Sequence, residues 1–236
     1  MRLVLLGIPG AGKGTQAALL AERYGIPAIS TGAILREAIR AGLPVGERAR
    51  RYINLGQLVP DEVMTEIVRV RLSEADCRQG FLLDGFPRTL PQARMLSRLL
   101  ERLGQALDAA IDIRVSPGVA VERIAGRLVC QKCGLSVQRR ELGIPNEPGA
   151  GEGGVLSCPR CGGELGRRTD DTVATARERI AVYLVQTRPV SEYYRRLGLL
   201  EEVDGELEIP QTFAAIVGRL EERKRRAGWL GATAQG

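Results

Sequence analysis

The sequence predicts an α/β protein built on a doubly wound parallel sheet with small inserted subdomains. Three observations carry this. A short apolar strand runs directly into a glycine-rich turn and then a helix over residues 1–25. Short apolar runs then alternate with helical spacing along the chain, the pattern of parallel strands joined by crossover helices. Between 128 and 168 helical periodicity disappears and glycine, proline and paired cysteines take over, which marks an insertion.

Taken in order, MRLVLLG reads as a buried strand, and TQAALLAERYG as a helix that stops at Gly25. AIS (28–30) is a second short strand, and Ser30 or Thr31 is placed to cap the helix AILREAIRAG. A small helical region runs to Leu55 and turns at Gly56. Asp61 to Glu74, entered from Pro60, has apolar residues at 63, 64, 67, 68 and 72 and predicts a helix. FLLDGFPRT is a strand that breaks into a loop; Pro91 opens a helix through Leu103. Ala109 to Val115 is another strand, followed by a helix from Pro117 through Arg127. Helix resumes near Asp171, passes Tyr183 and restarts at Pro189. LLEEVDG is the last strand and Pro210 to Arg226 the last helix, with a loose tail over 227–236.

Composition bounds the chemistry. Of 236 residues, 44% are apolar and 26% charged, which fits a folded, water-facing protein with one sizeable core. The 34 basic residues outnumber 28 acidic ones for a net charge of +6, and all but Lys13, Lys132 and Lys224 are arginine, the side chain suited to bidentate phosphate binding. The apolar run Leu3–Leu6 is too short for a signal peptide, and no stretch has membrane length, so a cytoplasmic protein without a membrane partner is expected. In that setting five cysteines argue against a disulfide framework. Histidine is absent, which excludes a Ser-His triad, a phosphohistidine and any imidazole metal ligand.

Four motifs carry the functional reading. In GIPGAGKGT (7–15), Gly7, Gly12 and Lys13 have the spacing of a phosphate-binding loop between strand and helix, although Gly14 follows the lysine where Ser or Thr is usual and Thr15 comes one place later. Backbone N–H groups there turn inward around an anion, and Lys13 reaches the outer phosphates. In DGFPR (84–88) a strand ends on Asp84, which suits a magnesium ion held through water, and Arg88 suits a phosphate clamp. Arg123 and Arg127, four apart, share a helical face; Arg168 and Arg179 are spaced close to three turns and share one if their helix begins early. CQKCG (130–134) and CPRCG (158–162) supply Cys130, Cys133, Cys158 and Cys161, the ligand set of a four-thiolate zinc site. Four protein ligands close the metal's shell and make it structural; iron and redox pairs are the alternatives. Cys77 stands apart as a small buried residue.

GxPGxGKGT, then ISTG, then LLDGFPRT, then the paired-cysteine insertion, resemble in order and spacing the adenylate kinase family, over nearly the whole chain from Met1 to Arg226. The resemblance implies a P-loop NTPase-like doubly wound sheet with an inserted NMP-binding subdomain and a zinc-ribbon lid: core at 1–29, 60–127 and 169–226, NMP-binding insert at 30–59, lid at 128–168. It implies reversible, magnesium-dependent transfer of a phosphoryl group from ATP to AMP, giving two ADP and maintaining adenine nucleotide balance, by a cytoplasmic monomer. Carried over by motif, ATP is held by Gly10, Ala11, Gly12, Lys13, Gly14 and Thr15, by Arg123 and Arg127, and by Ser136, Val137 and Leu207. AMP is held by Thr31, Arg36, Gln57, Leu58, Val59, Gly85, Phe86, Pro87, Arg88 and Gln92, with Arg168 and Arg179 meeting the phosphates. Lys13, Asp84, Arg88, Arg127, Arg168 and Arg179 form the catalytic set. Thr89 and Gln92 bear on the acceptor base.

The chain departs from the family pattern at Ala33, in STGAILR, where an acid is usual, at Leu128 in GRL, at Val137, and in the glycine-rich stretch RRELGIPNEPGAGEGG. Two other functions compete with this one. One is a nucleotide-switched protein using a zinc ribbon on nucleic acid; but the insert sets Lys132, Arg139, Arg140 and Arg160 against Glu141, Glu147 and Glu152, and offers no aromatic for base stacking, so no nucleic-acid partner is expected. The other keeps the chemistry and changes the acceptor, as in UMP/CMP kinases.

Overall fold

Parallel strands need crossovers, and the chain provides them in sequence. The structure, a computed structural model, describes residues 1–145 and 156–226; the expected loose tail and part of the glycine-rich lid stretch lie outside the described residues. In chain order the elements are β1 (Arg2–Leu6), α1 (Lys13–Tyr24), β2 (Ala28–Ser30), α2 (Thr31–Arg40), α3 (Pro44–Asn54), α4 (Asp61–Leu72), β3 (Phe81–Asp84), α5 (Leu90–Arg102), β4 (Ala109–Arg114) and α6 (Pro117–Ala125). They continue as β5 (Arg127–Cys130), β6 (Ser136–Gln138), β7 (Leu165–Gly166), α7 (Val173–Val182), a π-helical turn (Tyr183–Thr187), α8 (Arg188–Arg196), β8 (Leu200–Asp204) and α9 (Ile209–Arg226).

Five strands form one parallel sheet in the order β2-β3-β1-β4-β8. Alternate side chains leave opposite faces of a strand. Leu3, Leu5, Leu82, Ile111 and Ile113 accordingly pack with Ala17 and Leu20 of α1 and Ile216 and Leu220 of α9. Val4, Leu6, Leu83 and Ala110 pack on the other side with Leu96 and Leu100 of α5 and Val190 and Tyr194 of α8. Both faces being covered explains why these strands read as unbroken apolar runs. The first strand lies between β3 and β4, so the order reverses beside it and a crevice opens at the strands' carboxyl ends. A separate antiparallel sheet, β6-β5-β7, has its own small cluster of Leu128, Val137 and Leu165 around the cysteines.

Several boundaries differ from expectation, each for a local reason. The first helix begins at Lys13, two residues earlier than its apolar spacing indicates, because Gly12 takes the left-handed cap at φ 87° and frees the next residues to be helical. Ser30 is the cap of α2, accepting from Ala33 N. Helix α6 ends at Ala125, so Arg123 and Arg127 do not share a helical face: pairing of Arg127 with Gln138 draws it into β5. Thr172 caps α7 by accepting from Thr175 N, leaving Arg168 outside the helix that carries Arg179. The helical run past Tyr183 resumes at Arg188. Pro189 has no N–H to give, and the Arg188 N–H bonds five residues back to Tyr183 O, which widens the turn.

Helices α2 and α3 touch backbone to backbone at Gly46, where a Cβ would overlap the Ala38 carbonyl and Ile39 N. Helix propensity favours alanine over glycine by about 1 kcal/mol, but the overlap costs about 1–3 kcal/mol. Gly46→Ala is therefore expected to lower the denaturation midpoint; a raised midpoint would mean that the two helices separate at no cost.

Candidate active site

Glycine makes the loop after β1 possible. Gly7, Gly10 and Gly12 have φ of 136°, 87° and 87°. At Gly10 a Cβ would also fall 2.5 Å from the Ala120 carbonyl oxygen, so the loop lies flush against α6. The Lys13 ammonium folds across the loop and donates to Gly7 O at 2.7 Å and Ile8 O at 3.0 Å. Burial pushes its pKa down to about 8; Arg88 and Arg127 push the same way and Asp84 and Asp112 oppose them. Asp84, at the carboxyl end of β3, faces the start of α1: a Cβ on Gly14 would lie 3.9 Å from its Oδ2.

Arginines from β5, from the loop before α7 and from α7 itself meet across the cleft through two buried aspartates. Asp171 receives two hydrogen bonds from Arg127, Nε to Oδ2 at 2.7 Å and Nη2 to Oδ1 at 2.5 Å, and lies 3.5 Å from Arg179 Nη1 and 3.9 Å from Arg168 Nε. Asp170 receives Arg168 Nε at 3.1 Å and Nη2 at 3.0 Å, and Arg179 Nη2 as well. Burial alone would raise the Asp170 carboxyl; the hydrogen bond and charge of Arg168, with the charge of Arg179, hold it well below the usual carboxylate range. The spacing argument for Arg168 and Arg179 fails as helix geometry, yet the two side chains meet on this carboxylate. Arg36 is lowered to about 10, by burial first and then by Arg168, Arg127 and Arg179. Arg88 is lowered by burial, with Asp84 opposing and Arg179 and Arg168 adding to the shift.

The cleft, about 2460 Å³, is lined by Gly10–Thr15, Thr31, Arg36, Gln57–Val59, Asp84, Gly85, Pro87, Arg88 and Gln92. Arg123, Arg127, Ser136, Arg168, Arg179 and Leu207 complete the expected set on its wall. Arg123 Nη1 donates to Gly205 O at 2.7 Å, tying α6 to the loop that carries Leu207. Two expected contacts do not line it: Phe86 is 1% exposed in the main core, and Val137 packs in the small sheet's cluster. The Thr31 hydroxyl donates to Gly85 O at 3.0 Å, holding the end of β3 against α2. Thr89 does not reach the cleft; its hydroxyl accepts from Gln92 N and donates to Asp61 Oδ2 at 2.9 Å. Asp61, Asp170 and Asp171 are the residues the motifs overlooked. The adjacent acids in RRTDD were the available signal, since two carboxylates beside an arginine pair answer an otherwise unbalanced charge.

The four thiols Cys130, Cys133, Cys158 and Cys161 lie within 4.8 Å of one another, with sulfur separations of 3.5 Å for Cys130–Cys161 and 3.7 Å for Cys133–Cys158. A tetrahedron with zinc–sulfur bonds of about 2.3 Å has edges of about 3.8 Å, so the donor set fits that ion. Gly134 and Gly162, at φ 71° and 67°, close each C-x2-C turn, donating to Cys130 O and Cys158 O. Cys77 is 2% exposed and separate.

The adenylate kinase family model matches residues 5–199. The chain belongs to the adenylate kinase family. It is 48% identical over 221 residues to an adenylate kinase of Desulfitobacterium hafniense, covering 94% of this chain and 98% of that protein. Identity to an adenylate kinase of Moorella thermoacetica is 50% over 216 residues (92% and 96%), and to one of Archaeoglobus fulgidus 46% over 224 residues (95% and 100%). As an adenylate kinase, the enzyme is a nucleoside monophosphate kinase that transfers a phosphoryl group reversibly from ATP to AMP to give two ADP. No helix among the described residues is long and apolar enough to cross a membrane.

The lowered Lys13 pKa has a measurable consequence. A phosphate placed against Lys13 would favour the charged ammonium and raise its pKa, so ATP held there would bind with proton uptake and with an affinity that falls as pH rises through about 8. Calorimetry in buffers of different ionisation enthalpy should detect that uptake near pH 8 and find it diminished in Lys13→Met; equal uptake in both would assign the proton to another group.

Proposed function

We propose that catalysis rests on alignment and charge compensation by Lys13, Arg36, Arg88, Arg127, Arg168 and Arg179. The observation that carries this is the convergence of all six on one cleft beside the glycine loop. The AMP phosphate is already an anionic nucleophile and needs no general base, which agrees with a chain that has no histidine. Loop amides of Gly10–Thr15 and Lys13 receive the ATP phosphates, with Arg123, Ser136 and the backbone near Leu207 around the rest of ATP. Thr31, Arg36, the stretch 57–59, Arg88 and Gln92 receive AMP.

Asp84 is a carboxylate facing the loop, the donor chemistry that magnesium uses through its water shell. When bound with ATP the ion supplies further positive charge at the phosphates. Arg127, Arg168 and Arg179 exchange part of their aspartate contact for phosphate oxygens as residues 30–59 close over AMP and 128–168 over ATP, with 1–29, 60–127 and 169–226 as the core. Closure excludes water, which would otherwise accept the phosphoryl group. A monomer in the cytoplasm is the proposed setting. Zinc held by the four cysteines keeps the lid sheet folded.

A coupled assay of ADP formation with AMP, CMP, UMP and GMP, with and without magnesium, should give turnover with AMP as the preferred acceptor. Lys13→Met should reduce it by at least about 10²–10³-fold, the scale for losing a charge-stabilising donor. Undiminished turnover in the folded variant would remove Lys13 from the mechanism, and preference for a pyrimidine acceptor would place the enzyme with UMP/CMP kinases.

Metal analysis should return about one zinc per chain, and a strong chelator should lower the melting temperature. A chelated protein of unchanged stability would make the site non-structural.

A further inference from the structure

Gln92 is 2% exposed, lines the cleft, and has half of its amide's hydrogen-bonding capacity committed within the protein. Its Oε1 accepts the Arg88 backbone N–H at 2.8 Å, and its Nε2 donates to Asp61 Oδ1 at 2.7 Å. Asp61 is the first residue of α4 and is not on the cleft wall. Its other oxygen accepts the Thr89 hydroxyl at 2.9 Å, which in turn caps α5 beside Gln92. Turning the amide over would set Nε2 against an N–H donor and Oε1 against a carboxylate. Both replacements are repulsive, so the orientation is determined by its partners.

We infer that Asp61 is a positioning residue for acceptor specificity: with the Arg88 amide, it holds Gln92 so that one N–H and one oxygen lone pair face the base in a set order. A carboxamide has two N–H hydrogens and two lone pairs, and this network consumes one of each. What remains matches a purine with an unprotonated ring nitrogen beside an exocyclic amine, as in adenine. A 6-oxopurine presents the reverse order, a ring N–H beside a carbonyl, and meets donor with donor and acceptor with acceptor. Rejecting it needs no bulk; it needs only an amide that cannot turn, because a buried polar group left unpaired is costly. Asp61 touches neither nucleotide and acts through Gln92. This rests on the placement of the AMP base beside Gln92 proposed above.

The test compares kcat/KM for AMP and for inosine monophosphate, which differs from AMP at this edge alone. Asp61→Ala should reduce the AMP preference about tenfold, mainly through the KM for AMP, with the KM for ATP unchanged. Should that variant not fold, Asp61→Ser, too short to reach the amide, is read in its place. Asp61→Asn keeps an acceptor for Nε2 and can donate to Thr89, so it should retain the preference. In a Gln92→Ala background, Asp61→Ala should have no further effect on the ratio. Parallel loss of both acceptors, or an undiminished effect without Gln92, would make Asp61 merely structural and overturn the inference. An unsubstituted protein that does not phosphorylate AMP would instead overturn the proposed function.

Discussion

Six cationic side chains, Lys13, Arg36, Arg88, Arg127, Arg168 and Arg179, line one cleft, and two buried aspartates make that arrangement possible. Lys13, Arg36 and Arg88 lose basicity to burial first and then to neighbouring cations. Asp170 and Asp171, 4% and 7% exposed, each engage more than one guanidinium. Without them, the apo cleft would hold unpaired cations in a partly desolvated space, at a cost that favours splaying them into water. With them, the arginines stay near the positions that phosphates would demand, and a phosphate competes with a carboxylate of the same sign and similar geometry.

The rest of the architecture serves that constraint. A parallel sheet brings the ends of β1, β3 and β4 to one edge, placing the glycine loop, Asp84 and the α6 boundary side by side. Helices α1 and α9 on one face and α5 and α8 on the other bury the strands. Four of the cleft's arginines come from outside that edge: Arg36 lies on α2, Arg127 begins β5, Arg168 follows β7 and Arg179 lies on α7. The small sheet has a modest apolar cluster for its size, and the four thiols that fit one ion lie within it. Metal coordination would then contribute what so few apolar side chains do not.

Much of this was legible in one dimension because the signals are local. A loop of φ-positive glycines between strand and helix needs neighbours only a few residues away, and GIPGAGKGT states it directly. The C-x2-C turns are equally local, each closed by its own glycine. Alternation of buried strands with helices gave the sheet, since period 2 and period 3.6 are properties of consecutive residues. Element limits were less legible where a distant partner decides them. Arg127 reads as the end of a helix until Gln138 pairs with it, and the π-turn at 183–187 depends on where Arg188 finds an acceptor.

By itself the sequence determined the strand–loop–helix order, the glycine-built loop, the paired C-x2-C turns and a surplus of arginine. Each follows from the conformational limits or donor chemistry of residues close together in the chain. Only the tertiary structure decided which arginines converge, which carboxylates hold them, that Phe86 and Val137 belong to packing, and that Asp61 from α4 orients Gln92 on α5. Those are contacts between residues far apart in the chain. The geometry of a charge or a hydrogen bond depends on where folded elements place both partners, and no spacing within a single element encodes that.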